Sequence, residues 1–309
     1  MNPFAKRRSE SVASLGEEGL IAAIRGWLGN ATPPAPRGIG DDCALVGGPA
    51  GPRLLTVDPV VYARHFDDST PAAAVGAKLL KRNLSDIAAM GGRPGVAVVA
   101  LALDPRVKRA WVEGFYRGLA ACARRYRVRI VGGDVAEAPG TLVASLTLLG
   151  TLGSGRAVPR RGARLGDRIY VTGRLGGSLR SGHHLSFEPR LREGAWLARH
   201  RAVRAMMDVS DGIAKDIAAL TPRGAAADLD PSALPLWKGC SLREALCDGE
   251  DYELLFALDR RTAPGTFEQK WRRAFPRVPL SRIGRFVRAA ALPSGAIRLS
   301  DYRGFEHLR

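Results

Sequence analysis

Residues 96–103, VAVVALAL, are the most apolar run of the chain. A bilayer span takes about 20 apolar residues, so a run this short reads as a buried strand. The preceding stretch, 72–92 (AAAVGAKLLKRNLSDIAAMGG), sets Val75, Leu79, Leu80, Leu84, Ile87 and Ala88 on one helical face and closes on Gly91-Gly92. A one-sided helix feeding a buried strand requires helices packed on a sheet.

The alternation continues along the chain. Leu20, Ile21, Ile24 and Leu28 form a helical face in 16–29, and prolines at 33, 34 and 36 follow it. Strands are expected at 53–58, 96–103, 128–133 and 141–152, with helices at 72–92 and 106–125, so the first half reads β-α-β-α-β-β. A turn-rich basic stretch, 153–167, leads into strands at 168–173, 225–229, 252–258 and 281–287. Helices are expected near 190–201, 211–220 and 266–274. With 309 residues, the chain suits a two-domain α+β protein divided into 1–152 and 153–309.

Hydrophobic residues make up 46%, and the 36 glycines and 20 prolines are scattered, as in a globular chain. Cys43, Cys122, Cys240 and Cys247 show no Cys-x-x-Cys spacing and read as free thiols. The N-terminus lacks the apolar core of a secretory signal and no stretch is long enough to span a membrane, so a cytoplasmic protein without a membrane partner is expected. The net charge of +17 is mostly arginine and spread throughout. It reads either as attraction for nucleic acid or phosphorylated metabolites, or as an arginine-rich composition. Aromatics are only 6% and no basic stripe alternates with them, which counts against nucleic acid.

In so basic a chain the aspartates stand out. Asp41 and Asp42 follow a GIG turn, Asp58 closes LLTVD, Asp134 closes IVGGD, and Asp208 and Asp211 flank DVSD; Asp86 shares a helix face with Asn83. Each alone reads as a turn residue or helix cap, Asp208 or Ser210 for the helix at 211–220 included. Together, at the ends of apolar runs, they read as oxygen ligands for a hard cation, with Mg²⁺ favoured. Neither a P-loop nor a dinucleotide fingerprint is present. SDG (210–212), opening a helix, offers its N-terminus to an anion, while Gly133, Asp134 and Arg160 offer further contacts or simply shape turns.

GIGDDCAL, TVD, NLSDIAAMGG, VGGD, DVSDG and GEDYELLF, in that order from about 38 to 256, resemble the thiamine-monophosphate kinase family of the PurM-like, AIR synthase-related superfamily. YRGFEHL (302–308) resembles the family's tail. The resemblance implies a PurM-like architecture: an N-terminal AIR synthase-type domain with the metal and nucleotide site and the dimer contact, and a C-terminal α/β domain. It implies transfer of the γ-phosphoryl group of ATP to thiamine monophosphate in a homodimer. By position, Asp42, Thr56, Asp58, Asp86, Asp134, Asp208 and Asp211 match Mg²⁺ ligands. Gly133, Asp134, Arg160 and Ser210 match ATP contacts, and His65, Glu250 and Phe305 match the surroundings of the thiamine phosphate. No catalytic nucleophile or base is implied, because the acceptor phosphate is already ionised and metal-assisted positioning suffices.

His65 also reads as a structural or surface histidine, Glu250 as a strand's polar edge and Phe305 as a core plug for the tail. The match departs at Val57, where the family has a hydroxyl, at Val135, Ala136 and Glu137 after GGD, and in a short 173–206 segment carrying His183-His184, which read as loop residues or metal ligands. These departures leave room for another phosphorylated or carboxylated acceptor, or for a non-catalytic basic binding protein on the same scaffold.

Overall fold

Alternating burial along the strands and one-sided helices produce two five-stranded sheets in the computed structural model, which describes residues 5–48, 51–153 and 156–306. The first half runs α1 (Gly16–Leu28), β1 (Ala44–Val46), β2 (Arg53–Val61), α2 (Ala72–Ala89), β3 (Arg93–Leu103), α3 (Arg109–Tyr126), β4 (Arg129–Glu137) and β5 (Leu142–Thr151). Its sheet has the order β1-β2-β5-β3-β4; β3 and β4 are parallel and the other neighbours antiparallel. The apolar run at 96–103 lies within β3, between β5 and β4, and is not the wholly buried strand expected: Ala97, Val99 and Leu101 face the core while Val98 is 41% exposed on the other face.

The second half runs β6 (Arg168–Thr172), α4 (Ser178–Ser181), α5 (His183–Ser186), α6 (Leu191–Ala198), β7 (Val203–Asp208), α7 (Ile213–Leu220), β8 (Ala225–Leu229), α8 (Leu242–Cys247), β9 (Leu254–Leu258), α9 (Pro264–Ala274) and β10 (Leu280–Arg288). Its sheet order is β7-β9-β6-β10-β8, with every pairing antiparallel. The architecture is α+β, as expected.

Two strands outrun their expected ends. β2 continues past Asp58 to Val61, through Pro59. Its pairing with β1 ends at Leu55, so Pro59 falls where β2 has a neighbour on one side only and its missing N–H is tolerated. β4 likewise continues through Asp134 to Glu137 because β3 pairs with it along that length. Asp58 and Asp134 are therefore mid-strand residues, not strand ends.

Strand alternation sorts the first sheet's two faces. Leu54, Val60, Ala97, Val99, Ala144, Leu146 and Leu148 pack inward with Leu79, Leu84 and Ile87 of α2 and Phe115 and Leu119 of α3. The opposite face shows Leu55, Val57 and Val98, which are exposed. The second sheet is covered on both sides. One core holds Ile213, Ile217, Leu220 and Leu246; the other brings Leu197 and Trp271 against Ala88 and Ala89, so α2 seals both halves.

At the α2–α6 crossing, a Cβ on Gly194 would lie 2.0 Å from the Ala88 carbonyl oxygen. Backbone cannot retreat as a side chain can, so Gly194→Ala is expected to cost about 1–3 kcal/mol, read as a lower urea midpoint.

Candidate metal and phosphate site

The inner face of β2 and one face of α2 meet the C-terminal end of β7 in a cleft of about 290 Å³, at the lower end of small-ligand sites. Thr56 and Asp58, two apart on β2, point toward the helices. Lys78, Arg82 and Asp86 are spaced four apart on α2 and share one side. Asp208 ends β7, and Asp42 follows the glycine turn before β1. Cleft-lining residues include Asp41, Asp42, Thr56, Asp58, His65, Arg82, Asp86, Arg160, Asp208, Ser210, Asp211, Glu250 and Phe305. The two halves thus contribute acids to one place.

Among the described residues, Asp42, Asp86 and Asp208 bring carboxylate oxygens within 4.8 Å of one another. Each already has one polar partner. Arg160 Nη2 donates to Asp42 Oδ1 at 2.7 Å, Ser85 Oγ to Asp208 Oδ2 at 2.5 Å, and Thr56 Oγ1 to Asp86 Oδ2. Asp42 Oδ2 is buried with no partner. Two oxygens on one Mg²⁺ lie about 3–4 Å apart, so a small contraction gathers these three on a cation, and an all-oxygen set suits a hard one. The residues fit Mg²⁺.

The electrostatics favour a counter-charge here, a proton or a cation. Burial, then the charges of Asp58, Asp208 and Asp42, raises the Asp86 carboxyl far above its usual range. Burial, then Asp42, pushes Asp208 up to about 7. Asp41 rises to about 6, chiefly through burial, despite a hydrogen bond from the Arg160 backbone N–H. Unfolded carboxyls titrate near 4, so between about pH 4 and 7 the native chain holds protons the unfolded chain has released. The metal-free protein is therefore expected to lose thermal stability as pH rises through that window. Stabilisation by added Mg²⁺ should be larger at pH 8 than at pH 5, which melts at both pH values check.

At the other end of the cleft, buried Lys78 donates to the His65 carbonyl at 3.0 Å and to Glu250 Oε2 at 2.9 Å, with His184 Nδ1 at 2.9 Å. An ammonium has no lone pair, so His184 accepts through Nδ1 and carries its proton on Nε2. Burial would raise Glu250, but Lys78, with Arg82 and His184 behind it, more than offsets that and the carboxyl sits below its usual range. The Tyr252 hydroxyl donates to Glu250 Oε1 at 3.1 Å. Glu250 and Tyr252 take φ of 52° and 51°, left-handed conformations that cost non-glycine residues energy and recur at functional sites. His65 accepts the Val61 N–H on Nδ1 at 3.0 Å, which likewise leaves its proton on Nε2.

Several expectations change. Phe305 is 43% exposed beside the cleft and is not a core plug. The α7 helix starts at Ile213, and neither Asp208 nor Ser210 caps it. The Ser210 and Asp211 N–H groups both donate to Asp216 Oδ2 at 3.0 Å, so they are committed to the chain's own carboxylate instead of being offered to an anion. His184 belongs to the Lys78 cluster, and neither His183 nor His184 joins the acidic triad. All four cysteines are free thiols. Val57 borders the cleft, but alternation turns its side chain to the outer face, so the missing hydroxyl leaves Thr56 and Asp58 unaffected.

Gly133 and Asp134 are not brought into this cleft. Asp134 pairs with Ala100 on the outer face, three strands across from β2. Residues not foreseen include Ser85, Lys78, Arg82 and Asp216. The four-residue spacing of Lys78, Arg82 and Asp86 is the signal that finds the α2 group.

Residues 40–152 match the family "AIR synthase related protein, N-terminal domain". Fold and acidic cleft thus define an AIR synthase-related protein. A thiamine-monophosphate kinase of Rhodopirellula baltica is 34% identical over 88% of this chain and 89% of its own length. That of Salmonella typhimurium is 35% identical over 79% of this chain and 82% of its own length. The solved structure of AaThiL complexed with AMPPCP and TMP superposes with a TM-score of 0.79 at 28% identity, covering 98% of this chain and 99% of its own. The chain belongs to the thiamine-monophosphate kinase family. Among the described residues, no helix is long and apolar enough to cross a membrane.

Proposed function

We propose that the protein transfers the γ-phosphoryl group of ATP to thiamine monophosphate, yielding thiamine diphosphate. The observation that carries this reading is the convergence of Asp42, Thr56, Asp58 and Asp86 from one half with Asp208 and Asp211 from the other in a single cleft. Its family membership and its likeness to a structure holding an ATP analogue and TMP support it.

These six residues would hold Mg²⁺. The metal supplies charge neutralisation between two phosphate groups that otherwise repel. Arg160 ties Asp42 in place and, with Ser210, faces the nucleotide. His65, Glu250 and Phe305 line the acceptor end. The acceptor oxygen is already ionised at neutral pH, so no base has to remove a proton and alignment is the main task. Transfer is direct and in line. An isolable phosphorylated enzyme that hands its group to the acceptor contradicts that.

The outer face of the first sheet supports a homodimer. Leu55, Val57 and Val98 are exposed there, and edge strand β4 exposes Val131 and Val135. Asp134 and Gly133 would join a site only through that pairing, so their metal and nucleotide roles are proposed together with the dimer. Val57→Asp should yield monomers by light scattering. The two sheets are taken as two domains, 1–152 and 153–309.

The test is purified protein with ATP, Mg²⁺ and thiamine monophosphate, scored for thiamine diphosphate. Product that depends on Mg²⁺ supports the reading. ATP turnover only with a different phosphorylated or carboxylated acceptor replaces it.

A further inference from the structure

Three arginines line the cleft; Arg64 is exposed, and the two more buried ones, Arg82 and Arg160, are used differently. Arg160 makes a 2.7 Å charge-assisted bond to Asp42. Arg82 has only a 3.4 Å contact from Nη2 to Asp58, long for an ion pair of this kind, which usually closes to about 2.8 Å. Its side chain is 12% exposed, and Nε and Nη1 are buried without an acceptor. A guanidinium with two unmatched buried nitrogens is costly, and an incoming anion that accepted from them would recover that cost.

Its position says which acceptor. Arg82 lies one helical turn from Asp86, at the metal end, and one turn from Lys78, which holds Glu250 at the acceptor end. Tyr252, Asp58, Glu250 and Asp86 are its charged and polar neighbours. We propose that Arg82 binds the phosphate of the acceptor, a phosphate monoester, and so selects the phosphorylated substrate over its dephosphorylated form. Naming that acceptor rests on the function proposed above. The planar fork suits paired phosphate oxygens, and a small rotation of its terminal bonds exchanges the long Asp58 contact for them. Nothing is transferred to Arg82; it orients and neutralises.

The test compares wild type, Arg82→Gln and Arg82→Lys, each with Mg²⁺ and without ATP, by calorimetric titration with thiamine monophosphate and with thiamine. In Arg82→Gln, affinity for the monophosphate should fall about tenfold or more, with thiamine binding changed less than about twofold. Arg82→Lys, which keeps the charge and loses the fork, should fall in between and serves alone if the glutamine variant does not fold. In turnover, KM for the acceptor should rise while KM for ATP and the Mg²⁺ half-saturation stay put. An unchanged preference for the monophosphate overturns the proposal. So does a shift in Mg²⁺ dependence alone, because Arg82 would then merely prop Asp58. If wild type neither binds nor converts thiamine monophosphate, the functional reading fails by itself, and titration with inorganic phosphate decides Arg82. Equal phosphate affinity in wild type and Arg82→Gln overturns its role; a tenfold loss upholds it.

Discussion

Asp208→Asn is expected to lower thiamine diphosphate formation by about 10³-fold or more while making the metal-free protein more stable at pH 8. The two effects share one cause. Asp208 lies buried beside Asp42 and Asp86; burial and then the Asp42 charge raise the Asp208 carboxyl, and the Asp208 charge in turn helps to raise Asp86. An amide of the same shape keeps the Ser85 hydroxyl bond, which the native residue accepts at 2.5 Å, and removes one repelling charge. It also removes an anionic ligand, so stabilisation by Mg²⁺ should shrink in the same melts. Loss of activity accompanied by lower metal-free stability would mean that Asp208 is structural.

The second large effect is at Lys78. Its ammonium is fully buried and joins the His65 carbonyl, Glu250 and His184, tying the α2 helix to a loop of the second half. Lys78→Met deprives Glu250, itself only 17% exposed, of its hydrogen-bonded counter-charge and leaves it only the more distant Arg82, at an expected cost of about 3 kcal/mol. Adding Glu250→Gln should recover much of that, because the uncompensated charge disappears with it. Urea denaturation of the two single variants and the double variant closes the cycle. Strictly additive losses would show that the pair does not couple the halves.

Most of the site was legible because aspartates at the ends of apolar runs are unusual in a chain with 30 acidic residues against 47 basic ones. What escaped did so for physical reasons. Lys78 and Arg82 look like the solvated face of an amphipathic helix, since sequence does not show that a second half covers that face. Asp216 reads as a polar helix position, and only the folded turn reveals it reaching back to two N–H groups. β7 is not evident because VRAMMD is short, carries an arginine and two helix-favouring methionines, and shows no strand alternation. The outward turn of Asp134 depends on the parallel register of β3 with β4, which no local pattern encodes.

The central claim is that acids from both halves close on divalent metal around a polyphosphate. Crystals grown with Mn²⁺ in place of Mg²⁺ and a non-hydrolysable ATP analogue test it through the anomalous signal of manganese. The account predicts peaks in the cleft bounded by Asp42, Asp86 and Asp208, with the analogue's phosphates against them. Manganese bound only elsewhere, with this cleft lacking both metal and nucleotide, would contradict it.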